Sequence, residues 1–260
     1  MLRLTRIEEG ACYATDSAKL YIAWSMLLNS SKLFWGCEII RSLDDAKSLS
    51  DQAFGGKYEK FPDLWELLKN FESPVLDAVR IVICFENYFK AKLLLGGYVI
   101  HQMDLGICRQ HYTQFITGNA RKMLLQKISP ILINDVMQAE KPIDADTKPL
   151  LTLTKQTLGI STLMGQPKYQ EVYLRDQTSE DQEIFPILER LNGTRNSLHF
   201  LNVEYIASGG LSINSFVVLR DYVTQHLDTL ANKIEDESTW ELEIGKSEIE
   251  HLLDIELGES

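Results

Sequence analysis

The spacing of apolar residues follows a helical period along most of the chain. It predicts a helix over Tyr13–Asp44, broken near Asn29–Ser31. Ser48–Pro62 reads as a loop, punctuated by Gly55–Gly56 and Pro62, and a short helix follows at Asp63–Phe71. Ser73 is placed to cap a long helix that starts on Pro74 and runs to Leu95, ahead of Gly96–Gly97. Further helices are expected over Arg109–Ala139, Leu150–Leu163, Asp181–Leu201 and Ile213–Ile234. Glu140–Lys148 reads as a linker and Ser208–Gly210 as a turn. Two short stretches, Glu171–Leu174 and Trp240–Ile244, alternate enough to suggest strands. The chain shows no internal repeat. The fold class that follows is an all-α bundle.

Two of these helices carry charge among their apolar positions. Advancing about 100° per residue, Val75, Val79, Val82, Phe89 and Leu93 fall within about 40° of one direction. Glu86 falls in the middle of that stripe, and Lys90 follows on its edge. On the later helix, Ile184, Ile187, Leu188, Leu191 and Leu198 form the stripe, with Arg195 inside it and His199 beside it. Pro186 either starts or kinks this helix. Burying a carboxylate without a partner is costly, so the simplest packing sets Glu86 against Arg195. Two readings stay open. One is a buried pair that fixes helix register, with His199 a neighbour. The other is a working site, because an Arg and a His one turn apart can act on one phosphodiester. The guanidinium forks onto phosphate oxygens, and the imidazole moves the proton of a ribose 2′-hydroxyl.

Composition narrows the setting. The chain has 260 residues, 45% of them hydrophobic, enough for one large core or one core with an appendage. No stretch of about 18 uncharged apolar residues occurs, so no membrane-spanning helix is expected. The early apolar run Leu20–Leu28 sits behind Glu8, Glu9 and Asp16, which does not fit a secretory signal. Cys12, Cys37, Cys84 and Cys108 form no CxxC pair and read as small buried thiols of a reducing cytoplasm. The formal net charge is −11, but residues 234–260 hold ten acids and a single basic residue, Lys246. The rest of the chain is nearly neutral. It lacks the basic footprint of broad nucleic-acid binding, so any RNA contact must be local. The acidic tail reads as a solvated segment.

The string Leu191-Asn192-Gly193-Thr194-Arg195-Asn196-Ser197-Leu198-His199-Phe200 resembles the signature of the HEPN superfamily. That signature is an Arg, commonly followed by Asn, with a His a few residues later. The string Phe85-Glu86-Asn87-Tyr88-Phe89-Lys90-Ala91-Lys92-Leu93-Leu94, followed by Gly96–Gly97, also looks like a helix of that family. The resemblance covers residues 75–230. Three residues separate Arg195 from His199 here, where the family usually has more. Leu201 stands where some family toxins carry a tyrosine modified by their antitoxin.

The resemblance implies a HEPN-like helical domain over 75–233, with residues 1–74 as an N-terminal helical extension packed on it and 234–260 as an acidic C-terminal tail. It implies a homodimer with two Arg/His sets in one cleft, and metal-independent RNA cleavage that leaves a 2′,3′-cyclic phosphate. Toxin or phage-defence roles are common in the family, so an antitoxin or other protein partner is a further expectation. By residue, Arg195 would contact the scissile phosphate and His199 would be general acid or base. Asn196 would position loop or substrate, and Glu86 would orient Arg195. The alternative is a non-catalytic HEPN-like module that binds a protein or RNA. No cofactor and no membrane contact are expected, and the location would be cytoplasmic. His101, Cys108 and His111 match no common zinc spacing, no phosphate-binding Gly-rich loop is present, and Ser197 and Cys84 lack a nucleophile's context.

Overall fold

The computed structural model describes residues 16–44, 74–104, 130, 132–133, 152–174, 179–196 and 211–236. In chain order these form α1 (Asp16–Trp35), α2 (Glu38–Arg41), α3 (Pro74–Leu95), β1 (His101–Asp104) and β2 (Thr152–Thr157). Then come α4 (Ile160–Gly165), α5 (Pro167–Tyr173), α6 (Ser179–Asn196) and α7 (Ile213–Tyr222). A π-helical segment, Val223–Asp228, follows, and residues 229–236 continue as helix α8. The described residues are thus mostly helical, with one two-stranded antiparallel ribbon.

Helix α1 begins on Asp16, which pairs with Lys19 one turn on. It runs unbroken through Asn29–Ser31, where a break was expected. Ser30 is fully buried, and its hydroxyl donates to the Met26 carbonyl at 2.7 Å. A serine bonded back in this way does not need to leave the helix. The stop comes at Gly36. A Cβ there would lie 2.9 Å from the Lys32 carbonyl, which also accepts the Gly36 amide. Helix α3 starts on Pro74 as expected, since a first-turn N–H has no helical partner to lose. It ends in a Schellman motif. The Tyr98 amide bonds the Leu93 carbonyl at 2.9 Å, and the Gly97 amide bonds the Leu94 carbonyl at 3.0 Å. Gly97 has φ +79°. Gly97→Ala should therefore lower stability by about 1 kcal/mol, read as a shift of the denaturant midpoint.

The chain divides into two units that interleave along the sequence. Unit 1 comprises 1–25, 89–173 and 233–260; unit 2 comprises 26–88 and 174–232. In unit 1, β1 pairs antiparallel with β2, setting His101 against Thr157 and Asp104 against Thr152. A register shift falls between His101 and Met103. Residues 150–163 were expected to be helical. Instead Thr152–Thr157 is a strand, and the helix begins only at Ile160, after Gly159. Three threonines in six residues suit a pleated strand better than a helix. The expected strand at Glu171–Leu174 is a second correction. Pro167 opens α5, which puts Tyr169 and Tyr173 one turn apart on a buried face. Tyr173 stacks on Phe89, with ring centroids 4.3 Å apart, and its hydroxyl donates to the Leu163 carbonyl at 2.8 Å.

Unit 2 is a helical core. Helix α6 packs on α7, and α7 on α2. Ile184, Ile187, Leu188 and Leu191 of α6 are buried, as their spacing predicts. Pro186 stands inside α6, on its exposed side. A run of aromatic rings threads this core. Phe34 meets Phe85 edge-on at 6.4 Å, and Tyr222 lies 5.9 Å from Phe85 and 6.1 Å from Tyr88. Helix α7 begins with a capping box between Ser212 and Ser215, each side chain bonding the other's backbone amide.

Candidate functional site

Of the four residues singled out by sequence, Glu86, Arg195 and Asn196 lie on described helices of unit 2, and His199 lies outside the described residues. Glu86 lies on α3 and is half-buried. Its environment differs from the expectation. The buried positions on this part of α3 are Ala78, Ile81, Val82, Cys84, Phe85 and Tyr88, while Val75 and Val79 are only half-buried. At about 100° per residue, the buried arc is centred near Phe85, so Glu86 sits on its flank. The rings of Phe34 and Tyr222, which pack against Phe85, lie along that direction. Arg195 and Asn196 are the last two residues of α6. Their side chains lie outside the described residues, as do the whole of His199 and the pairing of Arg195 with Glu86.

Two buried charges stand out among the described residues, and the first, Asp77 (2% exposed), was not anticipated. Its Oδ2 accepts the Ile39 amide at 2.9 Å, and its Oδ1 accepts Arg80 Nη1 at 3.2 Å. Ile39 is the second residue of α2, and the N-cap of that helix, Cys37, makes no side-chain cap bond. The carboxylate of α3 thus caps α2 from outside, satisfying an amide that the helix itself cannot. A negative charge at a helix start is favourable in addition. The sequence signal was available: an aspartate three residues before an arginine, on the arc shared by Ala78 and Ile81.

Cys37 and Cys84 are buried free thiols, and Cys37 lies beside Asp77. Cys37 Sγ lies 3.3 Å from the Leu33 carbonyl and 3.7 Å from that of Asp77. Burial pushes both thiols above their ordinary value of 9.0, and nearby negative charge adds to it. They are poor nucleophiles for that reason. A thiol that the fold keeps protonated holds its proton where the unfolded chain has lost it. This contribution to stability is fully present below pH 9.0 and is lost as pH rises beyond it. The unfolding free energy from urea titrations should fall between neutral pH and about pH 10, by up to about 1.4 kcal/mol per thiol for each pH unit above the ordinary value.

The π-helical segment supplies the other unusual geometry of unit 2. Such turns are rare. Two threonine hydroxyls bond backbone carbonyls along this segment. Thr224 Oγ1 donates to the Arg220 carbonyl at 3.0 Å, and Thr229 Oγ1 donates to the Thr224 carbonyl at 3.1 Å. Within the segment, His226 lies against Tyr222, with ring centroids 4.4 Å apart. Asp228 accepts the Trp35 indole N–H at 3.0 Å. Beside it, Arg220 bridges to Asp44 at 2.7 Å.

The second buried charge belongs to unit 1. Lys90 is 3% exposed, and its ammonium donates to Thr157 Oγ1 at 2.7 Å. Sequence reading left this lysine at a stripe edge; its acceptor is 67 residues away. His101, weighed above as a metal ligand, is half-buried on β1, opposite Thr157. Cys108 and His111 lie outside the described residues. Among the described residues no three His, Cys, Asp or Glu side chains gather as a metal site would need, and no helix is long and apolar enough to cross a membrane. Neither the known protein families, nor the curated proteins, nor the solved structures contain a match to this chain.

Proposed function

We propose that the chain is a HEPN-like protein that cleaves RNA as a metal-independent endoribonuclease. The observation that carries this reading is the shared setting of the two motif strings. Glu86 stands on one long helix, α3, and Arg195-Asn196 close another, α6, all within unit 2. In this reading Arg195 forks onto the scissile phosphate and stabilises its developing charge. His199 takes the ribose 2′-hydroxyl proton or returns one to the leaving 5′-oxygen. The 2′-oxygen then attacks phosphorus, the 5′-oxygen departs, and a 2′,3′-cyclic phosphate remains. Asn196 positions loop or substrate, and Glu86 orients the guanidinium. Two copies form a homodimer and contribute both Arg/His sets to one cleft, as a toxin or defence effector would.

A second reading is favoured by two specific features: the short Arg195–His199 spacing and the near-neutral charge of residues 1–233. It is a non-catalytic HEPN-like module that binds a protein partner or RNA. The test is incubation of a mixed RNA pool with wild type and His199→Ala in EDTA. The first reading expects cleavage by wild type alone, with cyclic-phosphate ends. Intact RNA in both reactions, with the dimer verified at high protein concentration, favours the binding module instead.

A further inference from the structure

We propose that the β1–β2 ribbon of unit 1 binds a phosphate group, held by Thr157 and His101 with the ammonium of Lys90 behind them. The argument begins with the direction of one hydrogen bond. An ammonium has only donors, so Thr157 Oγ1 must accept from Lys90 at 2.7 Å. The hydroxyl hydrogen is then turned away from the lysine. It is also polarised by the positive charge next to it, which strengthens it as a donor. Lys90 is buried and Thr157 half-buried, so the cation stands behind and the hydroxyl in front.

His101 adds a second group on the same side. It is the cross-strand partner of Thr157, and directly opposed residues of an antiparallel pair share one face, with Cβ atoms about 4.5–5.5 Å apart. An imidazole and a polarised hydroxyl carried on Cβ atoms that close can face two oxygens of one tetrahedral anion. The third observation is independent of these side chains. The register of the ribbon shifts between His101 and Met103, next to the pair. Gln102, in the irregularity, donates its Nε2 to the Thr157 carbonyl at 3.2 Å. Irregularities of this kind re-aim side chains and gather beside functional sites. The proposal stands or falls without the reading given above for Arg195 and His199. Its ligand chemistry is a phosphate, carried either by a nucleic-acid backbone or by a small phosphate.

The experiment follows the histidine ring signals of the full chain by NMR, with His101→Gln assigning the His101 signal. Inorganic phosphate is titrated in one arm and a short single-stranded RNA in the other. Movement of the His101 signal at millimolar phosphate, or at lower RNA concentration, is expected, and the arm that saturates first identifies the source. Thr157→Val should weaken the response about tenfold, with Thr157→Ser restoring it. Lys90→Met should weaken it as well; if that variant does not fold, the Thr157 pair still decides. A His101 signal that stays fixed in both arms, or an equal response in Thr157→Val, overturns the proposal.

Discussion

Replacing Phe85 with alanine is expected to lower the stability of the protein by about 3–5 kcal/mol, the range for deleting a buried phenyl ring. Phe85 is fully buried and touches rings on two other helices, Phe34 of α1 and Tyr222 of α7. Its removal therefore opens a cavity between three helices of unit 2, and it ends two aromatic contacts at once. Equilibrium urea denaturation followed by far-ultraviolet circular dichroism measures the loss. Phe85→Leu refills much of the space and should cost far less. If the alanine variant instead lost under about 1 kcal/mol, the ring would not be the centre of that core.

The second large effect is expected at Asp77. Asp77→Ala removes the acceptor of the buried Ile39 amide and the partner of Arg80 together. An unsatisfied buried amide costs about 1–3 kcal/mol, and loss of a helix cap about 1 kcal/mol more. The Arg80 side chain is 37% exposed, so its ion pair adds little. A total loss of about 2–4 kcal/mol is expected by the same urea measurement. Asp77→Asn keeps an oxygen for the amide and should retain at least half of that. Equal losses in the two variants would mean that the charge matters, and not the cap.

Long, well-punctuated helices were legible in the sequence. Helix α3 begins on Pro74 and ends at Gly96–Gly97 because proline and glycine act locally, without help from the rest of the chain. The α6 stripe was legible for a similar reason, since four of its apolar residues recur at regular helical spacing. The direction of burial on α3 was legible only in part. Val82, Phe89 and Leu93 are buried as their spacing predicts, but Val75 and Val79 are only half-buried, and the rings that pack on Phe85 come from residues 34 and 222, which no local pattern reveals. Strand β2 was hidden in the same sense, because its partner lies about fifty residues earlier in the chain. Asp77 and Lys90 were missed because each is satisfied by a distant group, an amide at 39 and a hydroxyl at 157. For the candidate site, the motif strings and their helices were legible. A meeting of Glu86 with Arg195 and His199 would depend on long-range packing, which spacing alone does not encode.

The interleaving of the two units bears on how the chain is made. Unit 2 joins residues 26–88 to 174–232, so its core cannot close until its second segment has left the ribosome. Until then Phe34 and Phe85 wait for Tyr222, and apolar faces stand open to other molecules. Contacts of such long sequence separation slow folding, and slow folders need protection from aggregation during synthesis. Expression of fragments that stop near Tyr173 should yield insoluble protein, whereas slower synthesis or added chaperone should raise the yield of the full chain.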